Sequence, residues 1–185
     1  YIGGISSIRG VENILSSAKT INGKIVLAGK PSSPELERKI INSNVEYLGM
    51  IKREEVAVLL NESVAGLVLF LPEPNHINSQ PNKMFEYMSA GICVIASDFK
   101  LWREIIEKNK CGICVDPLDE EEISKTIQWV LDNSKEAKIM GENGRKAIEK
   151  KYNWESESIK LIQVYEELRH RQYLISKQDG RTYLN

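Results

Sequence analysis

"VAGLVLFLPEPNHINSQPNKMFEYMSAGICVIAS", residues 64–97, holds a strand, a loop, a helix and a second strand in succession. Its first run, "VAGLVLF" (64–70), and its last, "ICVIAS" (92–97), are short, apolar and rich in β-branched residues. Such near-continuous apolar runs suit strands buried on both faces. Between them Met84, Phe85 and Met88 recur at helical spacing and read as core, and Pro81 suits a first helical turn because its missing N–H costs nothing there. Two buried strands joined through a helix make a βαβ unit, and therefore a parallel sheet.

The same alternation extends in both directions. "YIGGI" (1–5), "KIVLAG" (24–29), "VEYLG" (45–49) and "CGICV" (111–115) bring the expected strands to about six. Val11, Ile14, Leu15 and Ala18, and then Leu36, Ile40 and Ile41, carry the helical spacing between them. The fold class is α/β: a Rossmann-like parallel sheet with helices on both faces. Asp119 followed by Glu122 forms a capping box opening a helix over 120–132, and Asn153 is placed to cap the last long helix, which carries Leu161, Ile162, Tyr165 and Leu168. Trp102, Trp129 and Trp154 read as core or helix-packing anchors. Residues 177–185 lack periodicity and are expected to form a loosely ordered tail beyond a domain spanning 1–176. Because the chain opens on Tyr1 inside an apolar run, the expectation is that it is an excised domain.

Composition narrows the function classes. With 185 residues, 42% hydrophobic and 28% charged, the chain has the makeup of a soluble globular protein, and its formal net charge of -1 offers no overall case for nucleic acid or an anionic membrane. No run of about 18 apolar residues is present, so the expected location is cytoplasmic. Three cysteines, an odd number, argue against a disulfide framework. Cys111 and Cys114 form a C-x-x-C without a second pair or a nearby histidine, and with Cys93 they read as buried strand residues. His76 reads as an exposed loop histidine and His170 as part of a solvated helix face.

In a doubly wound sheet, ligands meet the carboxyl ends of the strands, where loops enter helix N-termini. The loop 71–81 is the longest of these. The amides of Asn82 and Lys83 fall in the first turn of the following helix, where unpaired N–H groups and the positive dipole end favour an anion. Glu86 follows one turn later, and a carboxylate there can accept both hydroxyls of a ribose. Spacing equally fits a Lys83–Glu86 surface pair. The first loop, "GGISSIRG", matches neither G-x-G-x-x-G nor a P-loop, but places Arg9 before a helix where a guanidinium can meet phosphate.

"YIGGISSIRG", "VEYLGMIKREEVAVLL", "PNKMFEYMSAGICVIASDFKLWREII", "CGICVDPLDEEEIS" and "MGENGRKAIEKKYNWE" together resemble, in order and over residues 1 to about 170, the C-terminal nucleotide-sugar-binding domain of the group 1 (family 4) retaining GT-B glycosyltransferases. The resemblance implies half of a GT-B fold whose N-terminal acceptor domain is absent from this chain. It implies transfer of a sugar from a nucleoside diphosphate sugar with retention, in bacterial-type glycan or polysaccharide synthesis, without a metal or other cofactor. The fragment alone is expected to be inactive. The expected partners are the nucleotide sugar, the missing domain and, through it, an acceptor glycan or lipid-linked glycan. The missing domain is also the expected route to the inner membrane face.

Residue by residue, the family's Glu-x7-Glu pair falls on Asn78 and Glu86, so the second carboxylate is kept for the ribose and the first is an amide. No catalytic residue is therefore assigned with certainty. The two cations that hold the diphosphate fall on Gly4 and Arg9, which leaves Arg9, with Lys83 and Asn82, for that work. Met50 and Ile51 fall where the family cradles the base. Two other readings stand at this point: a GT-B sugar-nucleotide epimerase, and a noncatalytic nucleotide-binding or assembly module.

Overall fold

The computed structural model describes the backbone of residues 1–178 and the side chains through residue 175. It divides into two compact units, Tyr1–Ile148 and a second beginning at Glu149. Among the described residues of the first unit are five strands, β1 (Val26–Leu27), β2 (Glu46–Tyr47), β3 (Ala65–Val68), β4 (Cys93–Ser97) and β5 (Gly112–Val115). All pair in parallel: β1 with β2 in one sheet, and β3-β4-β5 in another. Helices α1 (Val11–Ser17), α2 (Pro34–Ile41), α3 (Arg53–Asn61), α4 (Pro74–Ile77), α5 (Asn82–Ala90), α6 (Lys100–Asn109), α7 (Glu120–Asp132) and α8 (Ser134–Lys150) intervene or follow.

The sixth expected strand, residues 1–5, does not form. Ile2 and Ile5 make isolated parallel bridges to Ala28 and Pro31, but Gly3 sits at φ 99°, outside the extended region, and interrupts the ladder. Tyr1 and Ile2 instead line a cavity of about 500 Å³ between β1 and β3, together with Val26, Ala65, Gly66 and Tyr87.

Strand periodicity covers both faces of the larger sheet. Leu67, Leu69, Cys93, Ile95 and Val115 join one core with Ile14 of α1 and Ile123 and Ile127 of α7. The alternate residues Val68, Val94 and Ala96 are also buried, as are Met84 and Met88 of α5 and Trp102 and Ile106 of α6. Burying each such side chain contributes roughly 1.5–3 kcal/mol, which outweighs any local preference.

The caps follow the sequence. Asp119 accepts from the amides of Glu121 and Glu122, and α7 spans the expected residues. Glu122 turns its carboxylate to the Asp116 amide, so the reciprocal half of the capping box is not made. In the second unit Asn153 accepts from the Ser156 amide and opens α9 (Trp154–Gln178). The helix thus enters the segment expected to be a tail, and the remainder, residues 179–185, lies outside the described residues. Trp102 is fully buried, whereas Trp129 is 41% and Trp154 71% exposed, so neither is a core anchor. Leu161, Ile162, Tyr165 and Leu168 are exposed as well.

Candidate phosphate and nucleotide-sugar site

The first loop and the loops at the carboxyl ends of β1 and β2 are tied together by their backbones. Gly3 donates to Ala28 O at 2.9 Å, and Gly29 donates to Gly49 O at 2.7 Å. Gly10, at φ 70°, brings the first loop so close to β3 that a Cβ would collide with the Leu69 carbonyl. Beside this contact the Leu71 amide donates to Ile8 O at 2.9 Å, joining the first loop to the loop that precedes α5.

That second loop has a scaffold. It contains α4, and His76 is buried there, with Nδ1 3.0 Å from Leu71 O and its ring 4.8 Å from Phe70. The expectation of an exposed His76 is corrected: a ring that finds a backbone partner and an aromatic neighbour is buried at little cost. Trp102 donates its indole N–H to Ser79 O at 2.6 Å, fixing the chain just before α5. Asn78, one residue earlier, is the C-cap of α4 and is exposed.

Pro81 proves to be the N-cap of α5 rather than its first helical residue, and it brings no side-chain cap. The Met84 amide donates to Pro81 O at 3.0 Å. The amides of Asn82 and Lys83 are left as the orphan donors of the first turn. Asn82 and Glu86 are exposed on one side of this helix, and no hydrogen bond or ion pair among the described residues holds the Glu86 carboxylate.

Lys83 does not share that side. It is only 8% exposed, and its ammonium is a buried polar group without a hydrogen-bond partner. Nζ lies 3.4 Å from the centroid of the Tyr1 ring and 5.3 Å from that of Phe70. The surface ion pair with Glu86 that spacing permits is therefore not made. Burial first, and then the Arg9 charge, push the Lys83 pKa down to about 7, against an upward pull from Glu86. The Tyr1 face attracts the ammonium but gives it no lone pair to bond.

Arg9 reaches the same place from the other side. Its Nη1 donates to Gly4 O at 3.0 Å, and its guanidinium lies 5.6 Å from the Phe70 centroid. Tyr1 Oη donates to the same carbonyl at 2.6 Å. A Cβ at Gly4 would come within 2.5 Å of Arg9 Nη1, so the missing side chain at Gly4 is what lets the guanidinium fold over the turn. Gly4, Arg9, Lys83 and the α5 N-terminus thus form one cluster. Met50 is 74% exposed and Ile51 partly buried, both next to the Gly49 turn, so the structure puts them at the rim of the linked loops.

Sequence reasoning missed Tyr1, Phe70 and Tyr87. Tyr87 is buried and accepts from the Ile2 amide at 3.0 Å, which anchors the first loop to α5. Only Phe70 carried a signal in the sequence, as the aromatic residue that closes the apolar run 64–70 just before the long loop.

The family described as Glycosyl transferases group 1 matches residues 1–147. The chain belongs to that family. An uncharacterized glycosyltransferase of Methanocaldococcus jannaschii is 22% identical over 178 residues, or 91% of this chain and 44% of the relative. The chain therefore spans less than half the length of this curated relative. Among solved structures, sucrose-phosphate synthase from Thermosynechococcus elongatus superposes with a TM-score of 0.76 at 22% identity, covering 92% of this chain and 45% of that one. The C-terminal domain of a group 1 family glycosyl transferase from Francisella tularensis gives 0.64 at 18%, covering 83% and 86%. Anabaena HepE, in complex with UDP-glucose, gives 0.71 at 16%, covering 91% and 48%. The shared architecture is the α/β, Rossmann-like half of a GT-B fold. No helix among the described residues is long and apolar enough to cross a membrane. Cys93, Cys111 and Cys114 are free thiols, and burial pushes their pKa values up to about 12, 11 and 12, which suppresses the thiolate.

Proposed function

We propose that this chain is the donor-binding half of a retaining, family 4 glycosyltransferase that takes a sugar from a nucleoside diphosphate sugar. The observation that carries the reading is the meeting of the Arg9 and Lys83 side chains beside the Gly3–Gly4 turn, with Lys83 itself in the first turn of α5, where the Asn82 and Lys83 amides are orphan donors. Two cations and a helix N-terminus meet where a departing diphosphate accumulates negative charge, and fixed donors of this kind lower the barrier to its departure. Glu86, exposed one turn further along α5, is positioned for the ribose. Met50 and Ile51 meet the base, largely through backbone. The complex of Anabaena HepE with UDP-glucose supports a nucleotide sugar as the ligand class.

Charge neutralisation by Arg9 and Lys83 does the work a metal would do at the diphosphate, and we propose a metal-independent site. Asn78 offers an amide to the sugar hydroxyls and supplies no negative charge to the anomeric carbon. This exposed amide favours one second reading, a noncatalytic nucleotide-binding module. In the transferase reading a further domain supplies the acceptor and the rest of the cleft, and synthesis of bacterial-type glycans is the setting proposed.

Calorimetric titration with UDP, GDP and ADP sugars, with Glu86→Ala as control, tests the site. Binding of at least one donor, weakened in the variant, is expected. Failure of all three to bind, or unchanged binding by Glu86→Ala, overturns the assignment. Robust glycosyl transfer by the 185-residue chain alone overturns its reading as half a site.

A further inference from the structure

Lys83 presents an anomaly that diphosphate binding alone leaves unexplained. A surface lysine suffices to attract a phosphate, yet this one is folded away between Tyr1 and Phe70, its Nζ also 3.7 Å from where a Cβ of Gly3 would stand. Burying an ammonium without an acceptor is costly, and a chain keeps such a group where a ligand later supplies the acceptor.

We propose that Lys83 is a proton-coupled latch for the diphosphate: its nitrogen, which has no hydrogen-bond acceptor in its aromatic enclosure, takes the ligand's phosphate oxygens as its first acceptors and draws a proton from solvent as it does so. The inference rests on the reading of this cluster as a diphosphate site. No bond to the ligand forms or breaks in the step. One proton moves from water or buffer to the amine, and the resulting ammonium pairs with the phosphate.

The groups facing Lys83 fix the sign. Arg9, from the first loop, disfavours a second positive charge, and Glu86, on the same helix, favours it. The Tyr1 hydroxyl is pushed up to about 12 by burial and stays neutral. The Tyr87 hydroxyl is likewise raised by burial, and His76 faces Phe70 rather than Lys83. With the free nitrogen titrating near 7, a large part of the population is neutral at pH 7 and most of it at pH 8. A bound diphosphate restores the charged form, so binding takes up a proton wherever the free amine is neutral.

The test is calorimetric titration of the 185-residue chain with UDP-glucose and a GDP-sugar, whose phosphates do not titrate near neutrality, in buffers of differing ionisation enthalpy. Proton uptake approaching one per bound ligand above pH 8 and vanishing toward pH 5.5 is expected, with affinity weakening toward roughly tenfold per pH unit above pH 8. Lys83→Arg carries a permanent charge, so its uptake and its pH dependence disappear. The ¹³Cε resonance of Lys83 reads the same titration in the free chain without any ligand. Binding without proton uptake, uptake that persists in Lys83→Arg, or a free Lys83 titrating at the ordinary value of 10.5 overturns the latch while leaving the diphosphate site standing. Failure of both nucleotide sugars to bind removes the site reading, and the latch with it.

Discussion

The two ends of the candidate cleft are built differently. At the proposed phosphate end, Arg9 and Lys83 are held against Tyr1, Phe70 and the Gly4 carbonyl, with few freedoms left to lose on binding. At the sugar end, Asn78 stands exposed at the C-cap of α4, although Trp102 and His76 fix the loop beneath it. In the proposed reading, side chains are held in place where charge would be neutralised, whereas at the sugar end only the loop backbone is fixed and the Asn78 side chain is left exposed. Under the proposed function, donor binding and activation of the anomeric carbon are therefore expected to be separable, and mutations at the two ends should separate them.

The largest expected effect is that of Lys83→Met. Removing a cation from the proposed phosphate end should weaken nucleotide-sugar binding by roughly 30- to 150-fold, since a charge-assisted contact contributes about 2–3 kcal/mol. The same substitution should raise the melting temperature of the free chain near pH 7, because relieving an unpaired buried amine returns roughly 1–3 kcal/mol. The sign follows from linkage. The Lys83 pKa is lower in the folded chain than in the unfolded one, so the unfolded chain binds the extra proton between about 7 and 10.5. The wild-type chain therefore gains stability from this group as pH rises through that window, and the advantage of Lys83→Met shrinks in parallel. An advantage that is constant with pH would break the contrast drawn between the two ends.

Glu86→Ala comes next, with affinity falling about tenfold by calorimetry if two ribose hydrogen bonds are lost. Its melting temperature should hold, because an exposed carboxylate without a described partner contributes within about 0.5 kcal/mol. Gly4→Ala should lower affinity by several-fold. The new Cβ displaces only the far end of Arg9, so its stability should change by less than about 0.5 kcal/mol. Asn78→Ala should have the smallest effect on binding, within about twofold for the free nucleoside diphosphate by the same titration. A large loss there would show that the sugar end also holds phosphate.

Much of the fold was legible in the sequence because the information was local. The apolar period around Met84 and Met88 located α5, and the alternation of apolar runs with helical segments gave the α/β class. Asp119 and Asn153 marked their helix starts through side chains that reach amides only two or three residues away. The failed strand at residues 1–5 has an equally local cause, since a glycine that permits an extended backbone permits positive φ as well. Asn82, Lys83 and Glu86 were singled out by their place at the start of a helix, and the first loop by its place after an apolar run.

The sequence by itself thus determined the order of strands and helices, the caps, and which loop ends could meet a ligand, because each depends on neighbours within a turn or two of chain. Only the tertiary structure decided that Lys83 is buried against Tyr1 rather than paired with Glu86, that Arg9 lies over Gly4, that His76 is inside, and that Trp154 is not. Tyr1, Phe70 and Lys83 lie far apart in the chain and meet only when strands pack under α5. Burial and charge are properties of that meeting, and no periodicity along one segment encodes them.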